Sequence, residues 1–189
     1  YRQHFVGLLA NQPLAGGVLK ADLRLLKSAD SGDAKAGSID NRALSGLLSF
    51  AHSGHTFSAG WQRMNGDNSM PYLDGSNPYL VNYVQVNDFA AAQERSWQLR
   101  YDYDFKAIGI NGLSFLTRYV NGDHIKVLGS DQEGKEWERD SELKYVIQTG
   151  TFKDVSLRLR NATYRTNYQQ FARDVDETRL IVSYNFSVL

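Results

Sequence analysis

Cysteine is absent from all 189 residues, which excludes disulfides and thiolate metal sites. A surplus of either charge is absent too: 21 Lys and Arg balance 21 Asp and Glu, a poor composition for a general nucleic-acid binder. No run reaches the roughly 18 apolar residues that a transmembrane helix needs. That absence leaves a membrane β-barrel open, because its strands are only half apolar. Enzyme signatures are missing as well. There is no Gly-x-Ser-x-Gly elbow, no Gly-x-x-x-x-Gly-Lys-Ser/Thr phosphate loop and no dinucleotide fingerprint. The histidines are His4, His52, His55 and His124; His52 and His55 share a turn, but no third residue at metal-ligand spacing joins them. No catalytic residue, metal or cofactor is therefore expected. Asn161-Ala162-Thr163 and Asn185-Phe186-Ser187 fit a glycosylation pattern but fall in strand-like segments. No charged n-region and apolar h-region follow Tyr1, so a signal peptide is absent or lies upstream, and the chain reads as a fragment.

What the sequence does have is alternation with a period of two, which sends successive side chains to opposite faces of a strand. Trp97, Leu99, Tyr101, Tyr103 and Phe105 oppose Ser96, Gln98, Arg100, Asp102 and Asp104. Leu180, Val182, Tyr184, Phe186 and Val188 oppose Arg179, Ile181, Ser183, Asn185 and Ser187. Leu19, Ala21, Leu23 and Leu25 oppose Lys20, Asp22 and Arg24. Helical spacing fits none of these segments.

Clusters of Gly, Asn, Asp and Pro mark where the chain reverses. Short reversals are expected near Asn11 to Gly16, His52 to His55, Ala107 to Gly112 and Gly150 to Asp154. Longer polar connections are expected near Ala29 to Asp40, Met64 to Glu94, Asn121 to Asp140 and Thr166 to Asp176. Short and long alternate, the pattern of an outer-membrane barrel with periplasmic turns and extracellular loops. About nine strands are expected, near Tyr1, Val18, Arg42, Thr56, Ser96, Leu113, Ser141, Val155 and Glu177. Such a sheet is an open half-cylinder, and its edges cannot be left facing lipid, so further strands must close it. A soluble β-sandwich also has alternating strands. Against it stand the aromatics near the ends of the apolar faces and the charges on the polar faces, where a small soluble barrel would need a packed core.

Several stretches, in order along the chain, are similar to the second half of one family. They are Tyr1-Arg2-Gln3-His4; His55-Thr56-Phe57 through Trp61-Gln62-Arg63; Asn65-Gly66-Asp67; Glu94 through Asp102; Gly112-Leu113-Ser114-Phe115-Leu116-Thr117-Arg118-Tyr119; Lys144 through Gly150; and Arg179 through Tyr184. Together they resemble the OprD family of substrate-selective outer-membrane porins. The chain ends on the aliphatic Leu189, as that family's members do. The resemblance implies an all-β transmembrane antiparallel barrel of about 18 strands, of which residues 1–189 are the C-terminal half of a single domain. It also implies a bacterial outer-membrane location, a constriction made by inward-folded loops, and passage of small anionic or zwitterionic carboxylates. Membrane lipids or detergent would surround the barrel, as a monomer or a loosely associated trimer. The alternative reading is an outer-membrane barrel enzyme or adhesin.

With the apolar-aromatic face toward lipid, Lys20, Arg24, Arg100, Arg118, Lys144, Arg158, Arg160 and Arg179 point into the lumen. Asp22, Asp102, Asp104 and Glu142 are the opposing charges. A row of guanidinium groups can pass a carboxylate from one bidentate contact to the next without trapping it. Family channels have such a basic ladder, and Arg158, Arg160 and Arg179 are the matching positions. Taken alone, a residue such as Lys20 or Arg24 reads equally well as a solvated face. Arg158 and Arg160, two residues apart, repel each other, so acidic loop residues, water or a transiting anion must offset that repulsion. Arg63 is a pore-lining candidate by family match, although alternation from Phe57, Ala59 and Trp61 aims it at lipid; there it reaches headgroups unless a bulge turns it inward. The connection from Met64 to Glu94 is long enough to suggest function, and Tyr79 to Val86 is too apolar for disorder. Residues 64–94 are expected to form an extracellular loop folding toward the pore, with Asp67, Asp74 and Asp88 as its acidic side. An outer surface loop is the competing reading.

Overall fold

A computed structural model describes residues 1–35, 37–72, 79–168 and 173–186. The strands are β1 (Arg2–Leu14), β2 (Gly17–Ala29), β3 (Asp40–His52), β4 (His55–Gly66), β5 (Arg95–Asp104), β6 (Leu113–Lys126), β7 (Glu133–Val146), β8 (Ser156–Thr166) and β9 (Val175–Ser183). They form one antiparallel sheet in sequence order, each strand paired with the next. This is the all-β, nine-stranded meander that the alternation predicts. Two of its hairpins close on two residues, Ala15-Gly16 and Ser53-Gly54, all at positive φ. That backbone hand matches the twist of the strands it joins.

The two faces differ in kind. Trp97, Leu99, Leu143, Tyr145, Leu157, Leu180 and Val182 are all exposed on one side, with Tyr101 half-buried beside them. A soluble protein would turn this face into a core; here it is the surface. The dry clusters lie on the opposite, polar side. Leu26, Ala43 and Met64 pack there with Met70, Leu80 and Ala90; Val120 packs with Val84 and Phe89; and Ile125 packs with Ala91 and Tyr168. Each cluster joins inward-facing strand residues to residues outside the strands, chiefly from the 67–94 connection.

One expectation about the connections needs correcting. The stretch from Asn121 to Asp140 is mostly strand, and β6 and β7 are joined by residues 127–132, fewer than the 105–112 that join β5 and β6 at the opposite end. Length therefore does not alternate without exception. The cause is a bulge: the β6–β7 register shifts between Gly122 and Ile125, with His124 at φ +60°. The extra residue restores Ile125 to the inner face, so both strands continue past the point where their polarity reads as loop.

Candidate functional site

Strand parity fixes what faces inward. Arg24 follows Asp22 on β2, Arg100 opposes Arg118 across β5 and β6, Glu142 opposes Arg160 across β7 and β8, and Arg160 opposes Arg179 across β8 and β9. Lys20 and Lys144 lie on the same face, Lys144 directly opposite Arg158. The polar face thus carries basic side chains in adjacent register on β5, β6, β7, β8 and β9. Arg63 is not among them. It shares a face with Trp61 and Phe57 and stands opposite Leu44 and Arg95, on the apolar side.

Every inward arginine has a carboxylate. Arg24 meets Asp22 at 2.5 Å, Arg100 meets Asp102 at 2.6 Å, Arg118 meets Asp140 at 2.7 Å, and Arg179 meets Glu177 at 2.6 Å. Glu142 serves two arginines at once, Arg160 through Nε at 2.5 Å and Arg158 through Nε at 3.4 Å. One carboxylate between two guanidinium groups offsets their repulsion and leaves one positive charge over; Lys144 adds a second. Around them opens a basin of about 720 Å³, lined by Arg100, Asp102, Lys106, Leu116, Glu142, Lys144 and Arg158 among others. The guanidinium groups keep donor capacity toward it, since a five-donor fork is not exhausted by one carboxylate.

Directly above this basic zone the 67–94 connection lies on the polar face. Gln62 donates to the Asp88 and Phe89 carbonyls at 3.1 and 2.8 Å and accepts from the Asn82 N–H at 3.1 Å. Gln98 donates to the Val81 carbonyl at 2.8 Å, and Asn82 donates to Ser96 Oγ at 2.7 Å. Glu138 accepts from the Val86 and Asn87 N–H groups at 2.8 and 2.9 Å. At the two edges, Tyr79 packs its ring 4.5 Å from Phe5 on β1, and Gln85 donates to Glu177 on β9 at 2.8 Å. The connection therefore reaches from β1 to β9.

A buried carboxylate cluster anchors it. Glu136 accepts from the Tyr164 and Tyr168 hydroxyls at 2.5 and 2.8 Å and from the Asn87 side chain. Glu94, 1% exposed, accepts from the Ala91 N–H at 2.9 Å and lies against the Glu136 carboxyl group. Burial, then the neighbouring Glu136 carboxylate, pushes Glu94 well above the usual carboxylate range. Gly122 makes room for it: a Cβ there would collide with Glu94 Oε1. Asp88 is raised by burial, although it accepts from the Tyr72 hydroxyl. Asp67 is an exposed partner of Lys126 at 2.8 Å, and that hydrogen bond holds its carboxyl low. The structure thus separates the expected acids: Asp88 lies in the interior of the connection, Asp67 lies at its outer end, and Asp74 falls outside the described residues.

Sequence reasoning missed Glu94, Glu136, Glu138, Asp140 and Glu177. The signal existed: Gly134, Glu136, Glu138 and Asp140 alternate with Lys135, Trp137 and Arg139, which is a strand pattern. Among the described residues no group of His, Asp and Glu is arranged to hold a metal ion.

An exposed apolar wall, a polar inner face and an inward-lying connection define one side of an outer-membrane porin barrel. Comparison places it further. The family described as outer membrane porin, OprD family, matches residues 1–188. Porin D of Pseudomonas aeruginosa is 36% identical over 100% of this chain and 48% of its own length. The porin-like protein GalP of Pseudomonas putida is 38% identical over 100% of this chain and 45% of its own. The crystal structure of Pseudomonas aeruginosa OccK10 (OpdN) matches with a TM-score of 0.94 and 65% identity, covering 99% of this chain and 52% of that one. That of OccK5 (OpdH) from the same organism matches at 0.91 and 60%, covering 96% and 49%. The chain belongs to the OprD family of outer-membrane porins, spans about half the length of these relatives, and is a protein of the bacterial outer membrane.

Proposed function

We propose that this half-barrel forms one wall of a substrate-selective channel for passive uptake of small carboxylate-bearing nutrients. The observation that carries the reading is the run of inward basic side chains on successive strands from β5 to β9, arginines on all but β7, immediately beneath the 67–94 connection. Each arginine is held by a carboxylate yet only partly buried; side-chain exposures run from 17% at Arg118 to 49% at Arg179. Such groups are oriented before a solute arrives, which lowers the ordering cost of binding. A solute carboxylate exchanges with Glu142 or Asp102 on one guanidinium and then moves to the next. Several moderate sites in series allow both capture and release. The 67–94 connection supplies the narrowing; Asp67 is committed to Lys126, which leaves Asp88 as the acid for a zwitterion's ammonium group. Lys20 and Lys144, without ion-pair partners among the described residues, add attraction for anions. The other half of the barrel closes the pore.

The test is a pair of measurements on the complete channel. Arg158→Ala or Arg160→Ala is expected to slow carboxylate uptake into proteoliposomes and to move the zero-current potential in a salt gradient away from anion preference. One charge-assisted contact of about 1.5 kcal/mol, handed from one arginine to the other, would make the double variant slower by about tenfold. Arg165, which faces outward and is held by Asp176 at 2.7 Å, is expected to matter little. Unchanged uptake and unchanged selectivity in a folded double variant would leave specificity to the loops.

A further inference from the structure

The outer wall carries a second set of cations that the channel reading does not use. Lys27 on β2 stands directly opposite Arg42 on β3, and Arg63 on β4 stands directly opposite Arg95 on β5. All four are exposed. Like charges in directly opposed positions destabilise a sheet, so two such pairs on neighbouring strands need a counter-charge. None is found among the described residues: no carboxylate forms an ion pair with any of the four. Asp123 stands directly opposite Arg95 on β6, but its carboxylate is taken by His124 at 2.6 Å, and Arg95 reaches only that same histidine, at 3.5 Å. Elsewhere on this end of the barrel, Lys126 is paired with Asp67 and Arg165 with Asp176.

The height of the patch identifies its surroundings. One residue pair below Arg63 and Arg95, toward the membrane interior, Trp61 opposes Trp97; the aromatic row continues through Tyr119 to Trp137, with ring centroids 5.7 Å apart at each step. Tryptophan and tyrosine gather at the headgroup level of a bilayer. The cations therefore sit at the headgroups themselves, at the end of the barrel that carries the 67–94 connection, which is the outward-facing leaflet.

We propose that Lys27, Arg42, Arg63 and Arg95 form a docking surface for the phosphate-bearing headgroup of an outer-leaflet lipid. Its phosphates neutralise the two like-charge pairs, guanidinium forks grip them bidentately, and its acyl chains lie down the apolar wall below Trp61 and Trp97.

The test uses the complete channel in a neutral maltoside detergent, titrated with bisphosphorylated lipid A, with the same lipid dephosphorylated, and with inorganic phosphate. Bound lipid is counted by native mass spectrometry and unfolding temperature is followed in parallel. Bisphosphorylated lipid A is expected to bind and to raise the unfolding temperature, while the other two leave it unmoved. Replacing the four cations by glutamine weakens binding by about fivefold per cation removed. In lipid-free detergent the same variant is at least as stable as the parent, because repulsion has been relieved. Lys153→Gln, the same loss of charge in the turn at the opposite end, leaves binding intact, and Arg63→Lys with Arg95→Lys retains most of it. Should the fourfold variant not fold, K27Q/R42Q and R63Q/R95Q carry the test separately. Equal affinity in parent and glutamine variants would overturn the proposal. So would equal stabilisation by dephosphorylated lipid or free phosphate, or self-association of the channel through this face in neutral detergent.

Discussion

The inner face of β7 changes character within three residues. Glu136 and Glu138 are buried beneath the 67–94 connection and accept hydrogen bonds from tyrosine hydroxyls, the Asn87 amide and backbone N–H groups. Two residues past Glu138, Asp140, itself buried, accepts from Arg118 instead of from the connection, and two further on Glu142 pairs with Arg158 and Arg160 where the face is partly exposed. The same residue types on the same strand therefore do two kinds of work, and cover decides which. Where the connection lies on top, a carboxylate clamps it; beyond the connection, a carboxylate orients a guanidinium group.

Removing the cover is the harshest way to break that comparison. Deleting residues 67–93 from the complete channel is expected to raise single-channel conductance several-fold, because a constriction sets the flow in such a pore and barrel diameter does not. An unchanged conductance in a correctly inserted variant would move the constriction elsewhere.

Glu138→Gln attacks the clamp itself. A carboxylate accepts from both the Val86 and Asn87 N–H groups; an amide can accept from one and turns a donor toward the other. Losing a buried acceptor costs about 1–3 kcal/mol. Faster protease cleavage within the connection and noisier single-channel current are the expected signs, with barrel insertion unaffected.

Glu142→Gln acts on the uncovered side with the opposite sign to loss of an arginine. It frees Arg158 and Arg160 together, so anion preference in a salt gradient is expected to increase. The stability cost is small, within about 1 kcal/mol, because the pair is partly exposed. A fall in anion preference would mean that Glu142 helps the anion and does not compete with it.

The smallest effect concerns pH. Glu94 is raised in the folded channel, so the folded state holds its proton more firmly than the unfolded chain does. Its contribution is full below the ordinary glutamate value of 4.5 and is lost as pH rises through the raised folded value. Docking of the connection should loosen over that window, read as rising current noise, and Glu94→Gln should flatten the slope.

The fold was legible because period-two alternation is local. Trp97 to Tyr103 and Leu180 to Val182 show it directly, and parity alone puts Arg63 on the outer wall, against the family-based expectation that it lines the pore. The inward arginines were legible for the same reason. Their partners were less so. Glu136, Glu138 and Asp140 sit in a charged stretch whose polarity reads as loop, and the bulge at His124 that keeps β6 in register is invisible to a strict alternation. The clamp was not legible, since it joins Asn87 to Glu138 and Gln85 to Glu177 across chain separations that no spacing encodes.

In the proposed channel the arginine zone distinguishes a carboxylate from a neutral solute of the same shape. The direct measurement is the flux of benzoate relative to benzamide through the complete channel, in the parent and in the R158A/R160A variant. The parent is expected to pass benzoate faster by about tenfold, one charge-assisted contact's worth, with the ratio falling toward unity in the variant. A ratio that survives the loss of both arginines, or that is already near unity in the parent, would contradict the account.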